Sequence, residues 1–313
     1  MNRLDRAAER AVRQSLKLRR GESFLLVTDV QKLEIAEALA FWARRAGAET
    51  TTYLMTETLR PITVPPRLLQ ELARKASAIA YVLESRIEEK PLRSFLVKTG
   101  REFSRILMMP GLTRDMMERL VDIDYVELRR FTEKVIRAVR EAEDVVVENA
   151  AGTSLRFSVR GRTWVASTGD ISRQGSHGNL PAGECYTAPV EPSFSGRLVL
   201  SLIDDRLGRG VMEFEAGKLI RWEGRGVETV IRAIGADETG RVIGEFGIGT
   251  NRGARVRPNM LEAEKAFGTA HFAIGDSYGL GKNSSPHHYD ALVDRVTIRA
   301  KGKVVVKAGK FVL

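Results

Sequence analysis

The sequence contains a single cysteine, Cys185, among 313 residues. This scarcity excludes an internal disulfide framework and any cysteine-rich zinc or iron–sulfur site. No run of about 18 apolar residues is present, so no membrane-spanning helix is expected. The first ten residues are charged and lack the apolar core of a secretory signal. These absences together predict a cytoplasmic protein with no membrane partner.

Amide side chains are also scarce, with six Asn and four Gln against 50 Lys and Arg. This balance is typical of thermophilic proteins. The net charge is +10, but positive and negative residues are interspersed along the chain and there is no basic tail. Interspersed charges of this kind predict a solvated surface, so we expect no nucleic-acid partner.

The first 142 residues alternate strand and helix patterns. Short apolar or β-branched runs at 23–28, 50–55, 78–83 and 105–109 predict strands, and the segments between them place apolar residues at helical spacing. Such alternation predicts an α/β domain with a parallel sheet covered by helices. This half contains no GxGxxG, no Walker A loop and no histidine. We therefore interpret residues 1–142 as a scaffold or oligomerisation domain.

The pattern changes near residue 143, where β-rich sequence begins. Residues 144–148 and 153–160 flank a turn and predict a hairpin. Glycine-rich strand patterns then continue nearly to the end, interrupted by one predicted helix at about 227–234. Residues 143–313 are therefore expected to form a β-rich α+β domain, packed closely to the first because no Pro/Ser-rich linker separates them.

All four histidines lie in the second half, and three of them fall within eighteen residues. His288 and Asp290 are two positions apart, so in an extended segment their side chains point to the same side. An imidazole and a carboxylate that converge form a nitrogen and oxygen site suited to zinc, cobalt, manganese or iron. An isolated His-x-Asp also fits a simple surface pair. His287 has the opposite parity and is interpreted as structural.

Three further residues have unusual surroundings. His271 lies among small and apolar residues, where it needs a metal, a carboxylate or a core hydrogen bond as partner. Glu184 and Glu245 are acids among glycine, proline and apolar residues, and the glycines around Glu245 permit close approach of the backbone. Taken alone, each glutamate also fits an ordinary loop acid.

Four ordered motifs carry a resemblance to a known family. They are NLPxGExxTAP at 179–189, GExxxGxN at 244–251, EKxxGTxHxAxG at 264–275 and NxSxxHxD at 283–290. In this order, and densely over residues 144–300, the chain resembles the M29 metallo-aminopeptidases, the aminopeptidase T or leucyl aminopeptidase-like group.

The resemblance implies a homodimer with a two-metal exopeptidase site in its C-terminal domain. Classical members place an acid five residues before the motif histidine, where this chain has Ala266. Glu264 is therefore the candidate for that ligand, and Glu262 is the alternative. Tyr278, seven residues after His271, matches the active-site tyrosine of the family. The implied metal ligands are Glu184, Glu245, Glu264, His271, His288 and Asp290.

The implied reaction is hydrolysis of the first peptide bond of a substrate with a free N-terminus. Two divalent ions, zinc, cobalt or manganese, would share and activate the attacking water. Glu245 would bridge the ions, and Glu184 would be a ligand or the general base. Tyr278 would donate a hydrogen bond to the developing oxyanion.

A second enzyme class fits a subset of these residues. His271, His288 and Asp290 form a 2-His-1-carboxylate set, which holds one non-haem Fe(II). The ring-cleaving dihydroxypyridine dioxygenases are similar in this respect and need neither Glu184 nor Glu245. Because both glutamates stand in family-like motifs, the sequence favours the two-metal hydrolase. A non-catalytic binding protein on the same scaffold would bind no metal at all.

Overall fold

The computed structural model describes residues 1–313, except for the side chains at positions 87, 206, 207 and 209. The strands in chain order are β1 Ser23–Asp29, β2 Glu49–Met55, β3 Ala78–Val82, β4 Ile106–Met108, β5 Val145–Glu148, β6 Ser154–Phe157, β7 Val165–Ser167, β8 His177–Asn179, β9 Glu184–Thr187, β10 Ser195–Ile203, β11 Arg206–Glu215, β12 Lys218–Glu223, β13 Ile243–Gly249, β14 Ala270–Gly275, β15 His288–Val293, β16 Thr297–Ala300, β17 Lys303–Lys307 and β18 Lys310–Phe311.

Helices separate the strands mainly in the first part of the chain. The α-helices are α1 Arg3–Arg10, α2 Leu33–Arg45, α3 Arg67–Lys75, α4 Lys90–Phe103, α5 Arg114–Met116, α6 Tyr125–Val139, α7 Arg225–Ile234 and α8 Met260–Ala263. The N-terminal helical stretch is only partly regular, because after α1 it widens into a π-helical turn at Ala11–Leu16. Over the described part of the chain, no helix is both long and apolar enough to cross a membrane.

The chain divides into two compact units. The first comprises Met1–Tyr125 and Gly169–Ala182, and the second comprises Val126–Thr168 and Gly183–Leu313. The domain boundary near residue 142 stays a prediction. The chain first passes from one compact unit to the other at residue 126. This passage comes at the start of α6 because the buried face of α6, including Val135, belongs to the apolar core of the second unit.

The first unit contains the predicted parallel sheet. Its strand order is β2-β1-β3-β4-β8, and all of its neighbours are parallel. Strand β3 is buried along its whole length, as expected for a central strand covered on both faces. Strand β8 is too short and polar to be recognised from its sequence, and it joins this sheet from the later segment Gly169–Ala182.

The second unit contains a large antiparallel sheet with the order β18-β17-β16-β5-β6-β10-β15-β14-β13-β9-β7. Strand β11 also pairs with β10, and β12 pairs with β11. Alternate residues of its central strands, among them Phe246 and Phe272, enter the apolar core. The intervening residues face the other side. The predicted fold class, an α/β parallel-sheet domain followed by a β-rich α+β domain, is therefore confirmed.

Candidate metal centre

Four neighbouring strands of the second unit carry most of the predicted site residues. Glu184 begins β9, Glu245 is on β13, His271 is on β14, and both His288 and Asp290 are on β15. These strands are adjacent and antiparallel in the order β9-β13-β14-β15. Segments separated by up to about a hundred residues of sequence therefore meet on one sheet.

The strand register places these residues on one face, which we call the site face. Glu245, Ala273 and Asp290 are cross-strand neighbours in a single row. In the next row, Gly247 lies opposite His271. A Cβ atom at Gly247 would be 2.0 Å from Nε2 of His271, so glycine is required where the imidazole lies against the neighbouring strand. Small residues thus make room for the ionisable ones.

Three donors on the site face come close enough together to hold one ion. One ligand atom from each of Glu245, His288 and Asp290 lies within 4.8 Å of the others. Nε2 of His288 is 3.5 Å from Oδ1 of Asp290 and 4.0 Å from Oε2 of Glu245. Nδ1 of His288 is 2.8 Å from the carbonyl oxygen of Asp276. Because a carbonyl only accepts, Nδ1–H is the donor there, which leaves Nε2 available to a metal in the neutral ring.

His271 and Asp290 have buried atoms that fit a metal. His271 is completely buried, and its Nε2 lies 3.3 Å from Oε1 of Glu245 and 3.6 Å from Oε2 of Glu184. Among the described side chains, neither ring nitrogen of His271 has a hydrogen-bond partner in good geometry, and the same holds for Oδ1 of Asp290. Buried polar atoms are usually satisfied. Imidazole and carboxylate donors left without hydrogen bonds are the set that a divalent ion binds.

The ionisation of the histidines reflects their carboxylate neighbours. Burial lowers the pKa of His271, but Glu245 and Glu184 outweigh it and raise the pKa to about 9. Burial also lowers the pKa of His288. The carboxylate of Asp290 outweighs burial and raises this pKa to about 9. A divalent ion would have to displace these protons, so metal affinity should increase with pH.

The two candidates for the additional acid, Glu264 and Glu262, have different surroundings. The carboxylate of Glu264, at the end of α8, lies beside Lys265 and close enough to Glu184 and Asp290 to interact with both. Burial and Glu184 raise the pKa of Glu264 although Lys265 opposes them. Oε1 of Glu262 instead accepts a hydrogen bond of 2.8 Å from the backbone N–H of Arg255.

Lys265 is a component of the centre that was not among the predicted site residues, although it stands in the third family motif. Its side chain has no exposed surface, and its Nζ lies 3.0 Å from Oε1 of Glu184. It also pairs with Glu264. Burial lowers the pKa of Lys265, but the two carboxylates raise it overall. The sequence signal was the lysine of the EKxxGTxHxAxG motif, directly after Glu264.

Two tyrosines also lie at the centre. Tyr278, in the loop after β14, has its ring centroid 4.5 Å from that of His288. The loop is held by a 2.6 Å hydrogen bond from Ser277 Oγ to the carbonyl oxygen of Asn283. Desolvation and the carboxylates raise the pKa of Tyr278. Tyr278 is still 58% exposed, so solvent weakens this effect, but the direction keeps its hydroxyl protonated and able to donate.

Tyr186 was not singled out by the sequence. It lies on β9 two residues after Glu184 and opposite Gly247, which places it on the site face. Burial, then Glu245 and Glu184, raise the pKa of its phenol. The alternation of the strand could have found it once the role of Glu184 was considered.

Comparison with known proteins decides the family. The sequence model described as thermophilic metalloprotease (M29) matches residues 127–298, more than half of the chain and all of the centre. The chain belongs to the M29 family. This confirms the resemblance seen in the motifs.

Two solved structures share the M29 chain's fold over nearly its full length. Wild-type AmpT from Thermus thermophilus has a TM-score of 0.77 at 18% identity, covering 99% of each chain. A 2,5-dihydroxypyridine dioxygenase from Pseudomonas putida KT2440 has a TM-score of 0.76 at 18% identity, covering 100% of this chain and 98% of its own. At this identity the likeness establishes the fold. No curated protein sequence matches significantly.

Proposed function

We propose that this M29 chain is a metal-dependent aminopeptidase that removes N-terminal residues from peptides. The observation that carries the proposal is the convergence of Glu245, His288 and Asp290, with the unsatisfied imidazole of His271 beside them. Family membership supports peptide hydrolysis. The four motifs, which resemble those of the family's aminopeptidases, support action at the N-terminus.

The donor set suits a divalent ion of the zinc, cobalt or manganese type. Glu245, His288 and Asp290 would hold it, with His271 as a further ligand. Such an ion lowers the pKa of its bound water toward about 7 and polarises a carbonyl. The second ion expected from the sequence would need Glu184, Glu264 and His271. Two of those three residues are paired with Lys265.

Two residues have the chemistry for the remaining steps. Glu184 has one oxygen tied to Lys265, and its other oxygen faces His271. In the proposed mechanism it would accept the proton of the attacking water and pass it to the leaving amine. The protonated hydroxyl of Tyr278 would donate to the developing oxyanion, and loss of such a donor costs about 10²–10³ in rate.

Substrate, assembly and location complete the proposal. The substrates are peptides with a free α-amine, bound at the site face of the second unit. We further propose that the protein acts in the cytoplasm as a homodimer, with the parallel-sheet unit as its scaffold or oligomerisation domain. Size-exclusion chromatography with light scattering tests the dimer directly, because it gives one or two chains per particle.

The end preference can be tested with matched substrates. We expect hydrolysis of L-aminoacyl p-nitroanilides and none of their N-acetylated counterparts. Tyr278→Phe should lower kcat by about 10²–10³, whereas Tyr53→Phe, on β2 in the other unit, should leave kcat unchanged. Equal hydrolysis of blocked and free substrates would contradict an aminopeptidase.

A dioxygenase remains the second candidate because His271, His288 and Asp290 are all present in a fold shared with such an enzyme. That function predicts oxygen uptake on a dihydroxypyridine with Fe(II) bound. The aminopeptidase predicts no oxygen uptake and peptide hydrolysis with zinc, cobalt or manganese. An oxygen electrode therefore separates the two.

A further inference from the structure

The ammonium group of Lys265 is fixed inside the centre. Its side chain is fully buried, and its Nζ contacts Oε1 of Glu184 at 3.0 Å and the carboxylate of Glu264. Its backbone is anchored on both sides. The N–H donates to the carbonyl oxygen of Glu262 at 3.1 Å, and the carbonyl oxygen accepts from Asn251 N–H at 2.9 Å. A lysine held in this way cannot swing into solvent without opening the centre.

The donors of the centre therefore fall into two groups. Within the described residues, one set of three donors, Glu245, His288 and Asp290, is close enough to hold an ion. The other two carboxylates, Glu184 and Glu264, already share a cation, the ammonium of Lys265. A divalent ion bound to the same carboxylate oxygens would lie a few ångströms from that ammonium. Their repulsion would be little screened, because the group is buried.

We propose that the ammonium of Lys265 takes the place of a second cation, so that the centre binds one divalent ion per chain. Lys265 is then a positioning residue for Glu184, which it holds toward His271 as the proton acceptor. The inference rests on the proposed function only in assuming that the ion at Glu245, His288 and Asp290 is the catalytic one. It replaces the two-ion centre expected from the sequence.

Metal stoichiometry tests this inference on the full-length protein. The apoprotein is titrated with Co²⁺, followed by its visible absorption, and the metal content per chain is measured after gel filtration. Wild type should reach its end point at one equivalent. Lys265→Met removes the ammonium at similar length and frees Glu184 and Glu264, so its end point should move to two. Lys32→Met is the matched control, because it removes a buried lysine paired with Glu84 at 2.5 Å in the first unit. The end point of the Co²⁺ titration of Lys32→Met should stay at one equivalent.

Each outcome has a definite meaning. Two ions per wild-type chain would overturn the inference and leave an aminopeptidase intact. No bound ion would overturn both. One ion in Lys265→Met would overturn the inference, because the lysine would then not be what excludes a second cation. If that variant does not fold, the wild-type end point still decides whether the centre binds one ion or two. Peptide hydrolysis is measured on the same samples. One ion without hydrolysis would uphold the stoichiometry and reject the proposed function.

Discussion

At the scale of single residues, metal binding depends on atoms that the fold brings together and leaves unsatisfied. His288 and Asp290 show this, because strand alternation alone places them on one side and the carbonyl of Asp276 sets the imidazole tautomer. His271 is different, since its role depends on strands that are distant in sequence. The donors are therefore sensitive to changes of a single atom or methyl group.

Asp290→Asn tests the donor set with almost no change in size. The amide removes the charge and one good ligand, so zinc affinity should fall by more than the 10–100-fold typical of residues that only support a ligand. The measurement is competition with a chromophoric chelator. The control is Asp294→Asn, because that carboxylate accepts from Ser201 Oγ at 2.7 Å outside the donor set. Equal affinities for the two variants would argue against Asp290 as a ligand.

Gly247→Ala tests the space beside His271. The added methyl would lie 2.0 Å from Nε2, so the imidazole or the strand must move, at a cost of about 1–3 kcal/mol in stability. Zinc affinity should fall with it. Gly208→Ala is the control, since a methyl there meets no described atom within 4 Å. Unchanged zinc affinity in Gly247→Ala would contradict the position assigned to His271.

The sequence predicted these residues unequally, and the reasons are physical. The pair His288 and Asp290 follows from the two-residue period of a strand. Glu184 and Glu245 needed the family motifs, because nothing local distinguishes a metal ligand from a loop acid. The role of Lys265 could not be predicted, since it depends on where the carboxylates of Glu184 and Glu264 meet in space.

At the scale of secondary-structure elements, a buried ion network joins the ends of elements in the first unit. Arg60 donates to both oxygens of Glu89, at 2.8 and 2.6 Å, and to Asp29 at the end of β1. All three side chains are fully buried. Short apolar or β-branched runs predicted the strands of this unit. They carry no information on which charged groups pair at the strand ends.

Arg60→Met should strongly destabilise the protein. The substitution leaves the carboxylates of Asp29 and Glu89 buried without their cation, and breaking such a pair costs about 3–5 kcal/mol in the free energy of unfolding. Urea unfolding measures the change. Arg67→Met removes an exposed ion pair with Glu71 and should change stability little. A similar small change in both variants would contradict the structural role of the network.

The same network predicts a pH dependence of stability. Burial raises the pKa of Glu89, but the hydrogen bonds from Arg60 outweigh burial and lower this pKa overall. The unfolded value is about 4.3, so the stabilisation is fully present above that pH. It is lost as the pH falls through the lowered value of the folded state. The stability difference between wild type and Arg60→Met should therefore shrink in acid. A difference that grows below about pH 4 would have the wrong sign.

At the scale of the whole molecule, the sequence distinguishes the two halves of the chain but not the residues that form each compact unit. The sequence predicted the α/β and β-rich halves because their hydrophobic periods differ. It could not predict that α6 belongs to the second unit or that Gly169–Ala182 returns to the first. Those assignments depend on which core a buried face enters, and periodicity shows only that a face is buried.

Metal removal should lower the stability of the folded chain. An ion bound to the folded state alone stabilises it by about 2.7 kcal/mol at a concentration of 100 times its dissociation constant. EDTA should therefore lower the melting temperature, and excess Zn²⁺ should restore it. Differential scanning fluorimetry makes the comparison. An identical melting temperature with and without EDTA would mean that the folded state holds no stabilising ion.

Hydrolysis of the N-terminal peptide bond with a metal held by Glu245, His288 and Asp290 is the activity that we propose for this M29 chain. The most direct measurement is the rate on a panel of L-aminoacyl p-nitroanilides before chelation, after it, and after Zn²⁺, Co²⁺ or Mn²⁺ is returned. We expect activity that disappears on chelation and returns with a metal, in wild type but not in Asp290→Asn. Activity that survives chelation, or none with any of these metals, would contradict it.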